Sequence, residues 1–64
     1  MRRTVRQLQD SLETPETIRA KLDAHDADRL RASAFEKTAA RWVEQRADLI
    51  YELGLLEGRF QERP

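Results

Sequence analysis

The chain has 64 residues, twelve Lys and Arg against twelve Asp and Glu, and no cysteine. That length allows one small domain whose core supplies only a few kcal/mol. The charge balance argues against a general polyanion binder, and the missing cysteine excludes disulfides, thiolate metal sites and thiol nucleophiles.

With His25 the single histidine, a histidine-built zinc site is disfavoured too, and no cofactor is expected. Association with a partner is then the remaining way to reinforce so small a core. No apolar run approaches the roughly 20 residues of a membrane span. Met1-Arg2-Arg3-Thr4 has no apolar stretch behind it, so no secretory signal is read there and the cytoplasm is the expected location. A charged fraction of 38% leans towards disorder. Against it, Phe35, Trp42, Val43, Leu49, Ile50, Tyr51, Leu53, Leu55, Leu56 and Phe60 crowd the second half of the chain, and zero net charge removes self-repulsion.

Along the chain, residues 1–13 read as a short N-terminal helix or arm. Val5, Leu8 and Leu12 fall at i, i+3 and i+7, one stripe of a helix too short to stand without docking. Thr14-Pro15-Glu16 is the clearest punctuation. Thr14 can accept from a free N–H of the next helix, Pro15 at the first helical position loses no bond, and Glu16 suits the positive helix end. A second helix, 15–24, presents Ile18 and Leu22. Residues 23–29 hold no large apolar side chain, and Asp23 or Asp26 could cap a new helix, so a tight turn is expected near 23–26. The alternative is one unbroken helix of more than about 40 residues, which would need a coiled-coil partner.

A third helix is expected from about 26 to 61, roughly 50 Å long up to Phe60. Within it Phe35, Ala39, Trp42, Arg46, Leu49, Leu53, Leu56 and Phe60 follow at spacings of 4, 3, 4, 3, 4, 3 and 4. Val43, Ala47 and Ile50 widen this ridge beyond a two-stranded seam, as in a helix bundle. The fold class is therefore all-α: a helical hairpin with one long C-terminal helix and a short N-terminal helix, assembling as a homodimeric bundle. The dimer follows because 15–24 covers too little of the ridge, and wet apolar surface forfeits about 25 cal/mol per Å². The expected interface is Phe35, Ala39, Trp42, Val43, Arg46, Leu49, Ile50, Leu53, Leu56 and Phe60. A two-fold near residue 44 would oppose Phe35 to Leu53, Ala39 to Leu49 and Trp42 to Arg46, laying a guanidinium on an indole; the same contact can form within one helix.

The stretch Val43-Glu44-Gln45-Arg46-Ala47-Asp48-Leu49-Ile50-Tyr51-Glu52-Leu53-Gly54 resembles the first helix of the chorismate mutase family. There an arginine faces the active site, with a leucine three residues on and a glycine eight on; Arg46, Leu49 and Gly54 match. The resemblance covers about a dozen residues. It departs from the family at Glu57, where a lysine would follow the glycine, and the family's other active-site residues lie on helices beyond this stretch. No catalytic residue is assigned.

Glu44, Asp48 and Glu52 form an i, i+4, i+8 acidic row, read as a solvated face in preference to a metal cluster. Lys37 and Arg41 give the long helix a basic start. Arg2, Arg3 and Arg6 make an arm able to meet nucleic-acid phosphates, with a frayed terminus as the alternative, and Arg29 and Arg31 form a smaller cluster. His25 is expected to be a satisfied surface residue in the turn. The functional expectation is a protein–protein interaction module without enzymatic activity: an adaptor, inhibitor or antitoxin-like binder. The alternative is a nucleic-acid-associated regulator of plasmid or phage type.

Overall fold

The computed structural model describes residues 3–59. Among them are four helices and no strand: α1 (Val5–Asp10), α2 (Pro15–Ala27), α3 (Arg29–Ala32) and α4 (Glu36–Leu56). The chain is all-α with a long C-terminal helix, as expected. Arg2 and Phe60 lie outside the described residues.

Helix α1 has only six residues and is fixed at both ends. At its start, Gln7 N–H donates to Thr4 Oγ1 (3.2 Å) while Thr4 N–H donates to Gln7 Oε1 (2.8 Å), a reciprocal cap. At its end, Leu12 N–H reaches the Gln9 carbonyl and Glu13 N–H the Leu8 carbonyl, closing the last turn through a left-handed residue. That residue is Leu12, at φ 57°, with its side chain 83% exposed. A left-handed conformation costs an L-residue roughly 1–2 kcal/mol, and exposure means that no packing is lost on truncation. Leu12→Gly is therefore expected to stabilise the chain by about 0.5–1 kcal/mol after the entropy of glycine is subtracted. A melting curve shifted upward by a few degrees would show this; a downward shift would mean that Leu12 packs.

Helix α2 starts as the sequence dictates, with Thr17 N–H donating to Thr14 Oγ1 (3.2 Å), Thr14 N–H to Thr17 Oγ1 (2.9 Å), and Pro15 in the first turn. Its end differs from expectation. The turn foreseen at 23–26 is absent, and α2 runs on through His25 and Asp26 to Ala27. The segment holds no Gly or Pro, and its polar residues find partners on α4. Trp42 Nε1 donates to the His25 carbonyl (2.7 Å), and Arg46 Nε donates to Asp26 Oδ1 (2.8 Å). Polar contacts thus extend the hairpin where apolar ones were missing. The break comes at Asp28, followed by the single turn α3 and an extended Phe35 (φ −131°, ψ 145°). Helix α4 consequently has 21 residues and is about 31 Å long, shorter than the helix expected over 26–61.

Arg19 pairs with Glu57, His25 meets Trp42 and Asp26 meets Arg46, so α2 and α4 run antiparallel as a hairpin. Helix α1 closes one end. Leu8, Ile18 and Leu55 form the core, with Val5, Leu22, Leu49, Tyr51, Leu53 and Leu56 packed around them. Helix α4 passes through Gly54 without stopping. It ends at Gly58 (φ 75°), where Gly58 N–H bonds to the Leu55 carbonyl and Arg59 N–H to that of Gly54.

Candidate functional site

The ridge read from the sequence divides in the structure. Leu49, Leu53 and Leu56 are half-buried against the core of their own chain, where α1 and α2 cover them. Trp42 and Arg46 are engaged by α2. The indole stacks on His25 with ring centroids 4.9 Å apart and an interplanar angle of 10°, and His25 Nε2 donates to the Trp42 carbonyl (2.8 Å). Arg46 turns to Asp26, not to Trp42, so an ion pair takes the place of the guanidinium–indole contact that could have formed within one helix. That pair, about half exposed on both sides, holds the Asp26 carboxyl below its ordinary range through the hydrogen bond from Arg46. His25, expected in a surface turn, is a half-buried rung of the hairpin.

The rest of the apolar surface is left open. Leu30 is 87%, Phe35 72%, Val43 60% and Ile50 40% exposed. Ala40 and Ala47 are exposed beside them, and Ala39 is half-buried. On α4 these residues form a second stripe, Ala40, Val43, Ala47 and Ile50, spaced 3, 4 and 3, on a face turned away from the core-facing Leu49. Where α4 meets the end of α2, an open groove of about 540 Å³ is lined by Asp26, Arg29, Trp42, Val43, Arg46, Ala47 and Ile50. Within α4 the widening residues Val43, Ala47 and Ile50 thus supply most of the free face, and of the ridge crest Phe35, just before the helix, stays open with them.

The acidic row also divides. Glu44 is exposed and Asp48 half-buried, but Glu52 is 4% exposed, which corrects its reading as part of a solvated face. Its partner is Arg3. The guanidinium donates to Glu52 Oε1 (2.9 Å, from Nη2) and Oε2 (3.1 Å, from Nε), and to Glu13 Oε2 (2.7 Å, from Nη2). Lys21 joins Glu13 from α2. Arg3 is therefore neither a frayed terminus nor a free phosphate ligand, and Glu52 and Glu13 raise its pKa further above the usual arginine range. Of the proposed nucleic-acid contacts, Arg6 is exposed.

Hydrogen bonds from Lys21 and then Arg3 hold the Glu13 carboxyl down to about 2 from an ordinary 4.5. Because the folded pKa is the lower one, this contribution to stability is complete above about pH 4.5 and is lost as pH falls towards 2. The urea midpoint should fall across that window, and Glu13→Gln should flatten the fall. An unchanged acid profile in that variant would remove Glu13 from the account.

Among the described residues no group of three or more His, Cys, Asp or Glu is placed to hold a metal ion, and no helix is long and apolar enough to cross a membrane. Comparison with protein-family models, with characterised proteins and with solved structures finds no match to this chain.

Proposed function

We propose that this chain is a helical interaction module, not an enzyme, which binds a protein partner through the free face of α4 and the groove beside it. One observation carries the reading. Of the described apolar side chains only Leu8, Ile18 and Leu55 are buried, whereas Leu30, Phe35, Val43 and Ile50 lie exposed on adjoining elements. Single exposed leucines need no explanation, but a line of large apolar residues along one helix and the turn before it marks an interaction surface. The nucleic-acid reading has less behind it, because two carboxylates already hold Arg3.

The test is the double variant Val43→Asp with Ile50→Asp. Both positions are exposed, so the far-UV circular dichroism of the monomer should be unchanged, while binding of protein to the immobilised chain should disappear. Loss of helix in the variant would place these residues in the chain's own core, and undiminished binding would move the function to another surface; either result overturns the proposal.

A further inference from the structure

We infer that the occupant of this face is a second copy of the same chain, lying antiparallel with the two-fold axis crossing α4 near residue 41. The inference rests on the reading of α4 as a binding face and adds its partner and register.

Shape argues first for the antiparallel sense. The free stripe alternates small and branched side chains, Ala40, Val43, Ala47, Ile50. A parallel copy in register would set Val43 on Val43 and Ala47 on Ala47, crowding some layers and leaving gaps in others. Interiors tolerate neither well. An antiparallel copy sets large against small.

Charge then chooses between the antiparallel registers. With the axis near residue 45, Val43 would meet Ala47 and Ile50 would meet Ala40, but Glu44 would face Glu44 and Arg46 would face Arg46. Moving the axis to about residue 41 keeps Val43 against Ala40 and replaces the repulsion by attraction. Lys37 and Glu44 flank the stripe on the same side, seven residues apart, and each then faces the other's counterpart twice across the axis. Both are exposed, and neither has an ion-pair partner among the described residues. This register also brings Ile50 of the second copy towards Phe35, and so gives the two exposed elements a common cover. The overlap of α4 with its copy, Glu36 to Ala47, is about 18 Å long, so the interface belongs to the small, weak class with a Kd of about 10–100 μM.

Zero-length carbodiimide coupling of a mixture of ¹⁵N-labelled and unlabelled chains tests this. Lys37 coupled to Glu44 between chains of different isotopic mass is the expected product. Lys37→Glu or Glu44→Lys alone should weaken dimerisation about three- to tenfold, and the two together should restore it. Failure of the double swap to restore dimerisation, or coupling only within single chains, would overturn the register. A chain that stays monomeric throughout would overturn the second copy as occupant. Hydroxyl-radical footprinting of that monomer separates this failure from that of the underlying reading: heavy labelling of Val43 and Ile50 leaves a face for a different protein, and protected residues leave none.

Discussion

Ile18→Ala is expected to leave the chain largely unfolded at 25 °C. Among the described residues Ile18 and Leu8 are the two side chains fully enclosed, and with Leu55 they make up the buried apolar core. Truncating a buried isoleucine to alanine costs about 2–5 kcal/mol, from lost transfer energy and from the cavity left behind. A core of this size rarely supplies more than about 3–5 kcal/mol in total. Loss and total are comparable, so a single deletion reaches the unfolding threshold. Ile18 also joins α1 to α4, since α1 reaches the hairpin through the Leu8–Ile18–Leu55 contact as well as through Arg3. Circular dichroism at 222 nm with urea titration reads the outcome. A cooperative melt close to that of the parent chain would mean that the stability resides elsewhere.

Arg3→Ala should have the second largest effect, a loss of about 2–3 kcal/mol at neutral pH. Glu52 is buried, and Glu13, whose side chain is only 7% exposed, is nearly so. One planar guanidinium serves both carboxylates, from a side chain itself 32% exposed. Removing it leaves a buried carboxylate without its cation, which costs more than the pair contributes. Lys21 still serves Glu13, so most of the loss should fall on Glu52. Arg3→Lys should recover only part, because an ammonium cannot present the fork that spans two carboxylates. Adding Glu52→Leu to Arg3→Ala should restore stability, since the uncompensated charge then goes as well. If Arg3→Ala and Glu52→Leu are simply additive, the two residues are not coupled and the ion pair is not a fold determinant.

These two variants also mark how far the fold is legible in the sequence. The pairing of Val5 with Leu8, of Ile18 with Leu22, and the Thr14-Pro15 start all follow local rules that later packing does not override. Thr4-x-x-Gln7 is a cap by the same local rule, a weaker signal than the proline. Glu52 had a signal too: Leu49, Leu55 and Leu56, at −3, +3 and +4, put it on the core side of the helix, where an acid needs a cation. Which cation could not be read, because Arg3 lies 49 residues away and no periodicity links them. The stacking of His25 on Trp42 is likewise a tertiary event. It carries α2 through a segment that looks like a turn when only apolar spacing is weighed. At the binding face, the sequence showed that the apolar stripe is too wide for one seam. It did not show which part would be used internally, because that depends on where α1 and α2 dock.

Whether the free face of α4 draws two chains together is tested most directly by sedimentation equilibrium from about 1 μM to about 1 mM. The predicted result is a mass rising with concentration from 7.5 kDa towards twice that value, with the Val43→Asp, Ile50→Asp variant fixed at the lower mass and fully helical. A parent chain sedimenting at 7.5 kDa over the whole range, or a variant that dimerises as the parent does, would contradict it.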